Sequence, residues 1–67
     1  MSEVLFEMIR MGGSVKVTAV DADSGIEATI VGSAAMTPFS LQQAALRKLR
    51  RILEKRASPR TSGESSR

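Results

Sequence analysis

The residues best suited to chemistry in this chain are acidic and lie in the segment DADSGIE, residues 21–27. Carboxylates at alternate positions, here Asp21 and Asp23, open the calcium loop of an EF-hand, which also requires glycine at the sixth position and glutamate at the twelfth. In this chain Gly25 is fifth and Gly32 is twelfth. The segment therefore fits a hairpin turn, in which Asp and Ser side chains cap their own backbone, better than a metal loop.

Other catalytic groups are scarce. The chain has no histidine and no cysteine, which removes the commonest general base and the best thiol nucleophile, excludes disulfides and disfavours a zinc site. The pair Gly12-Gly13 is not followed by a GxxxxGK phosphate loop and precedes a strand-like run instead of a helix. These patterns predict a protein that is not an enzyme and that uses no cofactor, metal or small-molecule substrate.

Positive charge is concentrated in the second half of the chain. Residues 1–37 carry two basic and five acidic residues, a net charge of −3, whereas residues 38–67 carry eight basic and two acidic residues, a net charge of +6. Such an asymmetry can mark a nucleic-acid contact made through phosphates. The candidate residues are Arg47, Lys48, Arg50, Arg51 and Lys55. The same cations suit the solvent side of a helix near its C-terminal end, and we favour that interpretation.

The elements that must position these groups begin with two hairpins. Residues 12–13 are both glycine and suit the primed turn of a tight hairpin, which pairs Met11 with Ser14. Residues 21–25 form the second turn. Counting outward from both turns places one apolar set on a single face of a three-stranded antiparallel meander: Val4, Phe6, Met8, Val15, Val17, Ala19, Ile26, Ala28 and Ile30. A shift of one residue would reverse that face, so the agreement of the two turns supports the register.

One amphipathic helix is predicted to cover this face. After a loop at residues 32–36, the helix begins either at Pro38, capped by Thr37, or at Ser40 in a capping box with Gln43. At about 100° per residue, its apolar side chains form one stripe, which comprises Leu41, Ala45, Leu46, Leu49, Ile52 and Leu53. The predicted fold class is therefore α+β, a three-stranded antiparallel meander followed by one helix packed on one face, in the order β-β-β-α.

The chain divides into one domain, residues 1–56, and a tail, residues 57–67. The tail has no apolar side chain larger than alanine or proline, so it cannot bury enough surface to offset its ordering entropy, and we expect it to be disordered. No stretch approaches the roughly 20 apolar residues that span a bilayer, and the N-terminal segment lacks the basic and apolar regions of a signal peptide. We therefore expect no membrane contact and a cytoplasmic location.

The sheet face opposite the helix carries apolar side chains that the fold leaves in water. They are Leu5, Ile9, Val20 and Val31. An apolar patch of this kind often marks an interface, and a domain this short buries only about 60% of the surface that its unfolded chain exposes. We therefore predict a non-enzymatic interaction module that forms a homodimer or binds a protein partner through this face. Nucleic-acid binding through the basic helix is the alternative.

Three segments of the chain resemble a family of short bacterial proteins of unknown function. The segments are SVKVTAVD, SGIEATIVG and LQQAALRKLRRIL. The resemblance covers about residues 2–55 and implies a hairpin, a further strand and a closing helix in a bacterial cytoplasm. Its motifs are structural, so it transfers no activity and no functional residue.

Overall fold

A computed structural model describes residues 3–57, which form three strands and one helix. Strand β1 spans Val4–Met11, β2 spans Ser14–Asp21, β3 spans Glu27–Ser33, and helix α1 spans Pro38–Ala57. The strands form one antiparallel sheet in the order β1-β2-β3, so β2 is central and the other two strands are its edges. The helix packs on one face of this sheet, which confirms the predicted β-β-β-α fold.

The strands pair in the predicted register on both sides of β2. Met11 pairs with Ser14 across the first turn, where Gly12 has the positive φ of 61° that a primed turn requires at its first central position. At the second turn, Asp21 donates its backbone N–H to the carbonyl of Ile26 at 2.9 Å. Both hairpins therefore turn the same predicted face towards the helix.

Asp21 holds the second turn together through its carboxylate, which is buried. Its Oδ2 accepts hydrogen bonds from the hydroxyl of Ser24 at 2.7 Å and from the backbone N–H of the same residue at 3.3 Å. Gly25, at a φ of 76°, donates its N–H to the Asp21 carbonyl at 2.8 Å. This is the capped hairpin turn that the sequence favours, and no cluster of three or more metal-ligating side chains occurs in the described residues 3–57.

The core lies between α1 and the two strands beneath it. Its buried side chains are Val15, Val17, Ala19, Ala28, Leu41, Ala45 and Leu49. They come from β2, β3 and the helix, because α1 packs mainly on β2 and β3. From β1, Val4 and Phe6 reach the margin of the core, whereas Met8 remains 37% exposed although the register places it on the same face. The predicted apolar face is thus correct, but the helix lies above β2 and β3 and leaves part of β1 uncovered.

The helix begins at Pro38 with Thr37 as its N-cap. The Oγ1 of Thr37 accepts the backbone N–H of Ser40 at 3.1 Å, and its carbonyl accepts the N–H of Leu41 at 3.1 Å. Of the two predicted starts, the one at Pro38 is therefore correct. The helix ends at Ala57, and the rest of the predicted tail lies outside the described residues.

Gly32 belongs to β3, and the predicted loop at residues 32–36 is wrong at its first two positions. The strand continues to Ser33, and Gly32 pairs with Val15 on the side that faces the helix. A Cβ at Gly32 would overlap Cδ2 of Leu41. Glycine at this position therefore lets the helix approach the sheet closely.

Candidate functional site

The four predicted interface residues all lie on the open face, the side of the sheet opposite α1. Leu5 and Val20 are direct partners across β1 and β2. Ile9 and Val31 lie in another row, on either side of Lys16. The register therefore brings the first two together and keeps the second two apart.

A polar row separates these two apolar groups. Glu7, Thr18 and Thr29 are cross-strand neighbours on β1, β2 and β3. The hydroxyls of Thr18 and Thr29 form a hydrogen bond at 3.0 Å, and Thr18 is buried. The centre of the open face is thus polar and already hydrogen-bonded, so its exposed apolar surface lies towards the edges of the sheet.

Exposure singles out β1 as the main apolar part of the open face. Leu5 is 52% exposed, Ile9 42% and Val31 62%, whereas Val20 is half-buried. Met11, which was not among the predicted interface residues, is 48% exposed. It could have been found from its position, because it shares the odd-numbered face of β1 with Leu5 and Ile9. Three of the four exposed apolar side chains on this face therefore belong to β1.

The outer edge of β1 presents backbone groups without partners. Ala22 donates its N–H to the carbonyl of Glu3 at 2.9 Å, which identifies the odd-numbered residues of β1 as those bonded to β2. The N–H and C=O groups of the even-numbered residues therefore point away from the sheet; they belong to Val4, Phe6, Met8 and Arg10. None of these backbone groups has a hydrogen-bond partner among residues 3–57.

The outer edge of β3 is partly closed by the helix. The bond between Asp21 and Ile26 identifies the even-numbered residues of β3 as those that face β2, so the carbonyl of Thr29 points outward. The ammonium group of Lys48 donates to that carbonyl at 2.7 Å. A lysine that reaches across a strand edge in this way hinders the pairing of another strand there.

Four of the five predicted nucleic-acid-binding residues lie on the solvent side of α1. Arg47, Arg50, Arg51 and Lys55 are exposed. Their side chains make no ion pair or hydrogen bond within the described part of the chain. Lys48 differs from them, because it is half-buried and its ammonium group is bound at β3.

No helix in the described range 3–57 is sufficiently long and apolar to cross a membrane.

Comparisons with known proteins give a family for this chain. No curated protein and no solved structure matches the chain. The family model described as domain of unknown function (DUF6898) matches residues 1–56. The chain therefore belongs to this family, a domain of unknown function.

Proposed function

We propose that this chain is a small, non-enzymatic interaction module that self-associates through the β1 side of its open face. The observation that carries the proposal is the group of exposed apolar side chains that α1 leaves uncovered: Leu5, Ile9 and Met11 on β1, with Val31 on β3. Exposed apolar groups of this kind often mark protein interfaces. The hydrogen-bonded row at the centre of the face directs the contact towards β1.

The small core supports a second copy of the chain as the partner. Three of its seven buried residues are alanines, and a domain of this length is marginal when it relies on its own core. Small folds are commonly supported by disulfides, metals or association, and this sequence contains neither cysteine nor histidine. Burial of apolar area against an identical copy removes that area from water, which is favourable, and a two-fold pair is the commonest homo-oligomer.

The charges of the open face are compatible with such a contact. Glu7 and Glu27 are exposed and Lys16 is half-buried. Opposite charges on two copies can pair at the rim of an interface, whereas a carboxylate buried alone would be costly. The acidic side chains therefore restrict the geometry of the contact and do not prevent it.

Light scattering over a wide concentration range tests the proposal. We expect the parent chain to be a dimer at high micromolar concentration and the variant with Leu5→Glu and Met11→Glu to be a monomer, because both substituted side chains are exposed in the fold and would place carboxylates in the contact. A matched control with Met36→Glu and Phe39→Glu carries the same charge change at exposed apolar residues outside the face and should remain dimeric. A parent that stays monomeric, or a dimer that survives the first pair of substitutions, would contradict the proposal.

Nucleic-acid binding is a second candidate function, favoured by Arg47, Arg50, Arg51 and Lys55, exposed cations of α1 that have no ion pair among residues 3–57. Binding of this type should tolerate changes of sequence and weaken by orders of magnitude between about 50 and 200 mM salt. Fluorescence anisotropy of a labelled oligonucleotide should show that Arg47→Glu with Arg51→Glu abolishes binding, whereas Arg10→Glu with Lys16→Glu, the same charge change on the sheet, does not. The absence of binding at low salt would end this hypothesis.

A further inference from the structure

We infer that β1 pairs with β1 of a second copy, antiparallel and about a two-fold axis at Met8, so that the two three-stranded sheets join into one of six strands. This inference rests on the proposed function and deepens it, because it states how the β1 side associates. Four observations carry it: the backbone of β1, the exposure of its side chains, the position of the helix and the pattern of charge along the strand.

The backbone of β1 indicates that its partner is another strand. The strand is eight residues long, and the outward N–H and C=O groups at its edge have no partner within residues 3–57. An identical edge related by a two-fold axis presents a donor wherever the first presents an acceptor, so antiparallel pairing satisfies both edges. Addition of a strand to an exposed edge is a common mode of recognition.

The side chains of β1 lead to the same partner. Leu5, Ile9 and Met11 are exposed on the open face, and Met8 is 37% exposed on the side that faces the helix. A partner stacked on the open face would cover only the first group. A strand placed beside β1 carries side chains on both faces of the sheet and covers part of each group.

The helix leaves room for the second copy. Helix α1 packs mainly on β2 and β3, and its one hydrogen bond to β1 among residues 3–57 runs from Nε2 of Gln42 to Sδ of Met8 at 3.8 Å. Neighbouring strands lie about 4.8 Å apart and a helix is about 10 Å wide. Two helices separated by both copies of β1 therefore do not collide.

The symmetry of the pair limits the registers that are allowed. Residues opposite each other must lie on the same face of the sheet, so the axis must pass through a residue of β1. An axis at Glu7 would place two carboxylates directly opposite each other, which is destabilising. An axis at Phe6 would leave the C-terminal end of the strand, which includes the exposed Met11, without a partner.

The axis at Met8 avoids both problems and places Glu7 opposite Ile9 of the other copy, so that no two carboxylates face each other. Leu5 then lies opposite Met11 of the other copy on the open face, so that two exposed apolar side chains cover each other. On the helix side, Phe6 lies opposite Arg10 of the other copy, where a guanidinium can stack on the aromatic ring. Met8 packs against its own counterpart. This register covers most of the exposed apolar surface of β1 and places no like charges directly opposite each other.

Single cysteines test the inference directly, because the chain contains none. In Met8→Cys the two thiols lie beside the axis, and a short bis-maleimide should join them into a covalent dimer. Val31→Cys is the matched control, since it is exposed on the open face at the opposite edge. We expect Met8→Cys to cross-link at least about tenfold faster than Val31→Cys on denaturing gels. The two thiols of Met8→Cys are held close together in the dimer, whereas those of Val31→Cys meet only by diffusion. Faster cross-linking of Val31→Cys in a dimeric protein would overturn strand pairing while leaving self-association intact, whereas a monomeric parent would overturn both.

Proline substitution provides an independent test. The N–H of Met8 points outward, so Met8→Pro removes a donor from the free edge without breaking a bond to β2. Val31→Pro does the same at the edge of β3. With folding verified by circular dichroism, Met8→Pro should be monomeric by light scattering and Val31→Pro should remain dimeric. A folded Met8→Pro variant that still forms the dimer would contradict the inference.

Discussion

The two edges of the sheet are built differently, although both strands flank the same central strand. At β3, the helix packs closely above Gly32 and Lys48 binds the outward carbonyl of Thr29. At β1, apolar side chains are exposed on both faces, and the outward backbone groups have no partner among residues 3–57. One helix therefore covers only part of even a small sheet, and its lateral position decides which edge remains available.

The strongest test of this difference compares one residue beneath the helix with one beside it. Leu49 is fully buried between the helix and the sheet, whereas Met8 is partly exposed on the same face. We expect Leu49→Ala to lower the free energy of unfolding by about 2–5 kcal/mol and Met8→Ala to lower it by less than about 1 kcal/mol, measured by urea denaturation at a concentration where the chain is monomeric. Equal losses would show that α1 covers β1 as fully as it covers the other strands.

A second comparison examines how closely the helix approaches β3. Gly32 has no space for a Cβ beneath Leu41, whereas a Cβ at Gly13 would meet nothing within 4 Å. Gly32→Ala should therefore destabilise the fold by about 1–3 kcal/mol through overpacking, and Gly13→Ala should be neutral or slightly stabilising. Thermal denaturation of the two variants measures the contrast. A Gly32→Ala variant as stable as the parent would contradict the close packing.

The smallest expected change in stability concerns the lysine at the β3 edge. Lys48→Met removes a charge-assisted hydrogen bond that is partly exposed, so the free energy of unfolding should fall by only about 1 kcal/mol. The same substitution opens the β3 edge, and light scattering should then detect species larger than the parent forms. Lys55→Met, at an exposed lysine of the same helix, should change neither property. Parent-like mass in Lys48→Met would show that this lysine does not protect the edge.

The pairing of the strands could be predicted because local chemistry determines it. Gly12-Gly13 and the segment from Asp21 to Gly25 each define a turn, and a turn determines every pair that follows it along the hairpin. Local residues also limited the start of the helix to two positions, Pro38 or Ser40, and the structure shows the first, capped by Thr37. In each case the deciding residues lie within a few positions of the feature that they determine.

The lateral position of the helix could not be predicted, and the remaining differences follow from it. Helical periodicity shows which side of α1 is apolar but not above which strands that side will lie. The sequence therefore placed Met8 in the core, Gly32 in a loop and Lys48 among the free cations. In the structure, these three residues are respectively partly exposed, within β3 and bound to a backbone carbonyl.

Lys48 also bears on how large an assembly of such sheets can become. A sheet with two open edges can add copies at both ends without limit, which is how fibrils grow. Because the β3 edge is obstructed at Thr29, only the β1 edge of the sheet can accept another strand. In the proposed dimer, the β1 edge of each copy is used in the contact, and each outer strand of the joined sheet is a β3 with its own lysine. In the proposed dimer, a single hydrogen bond between a side chain and a carbonyl would thus oppose growth into a filament.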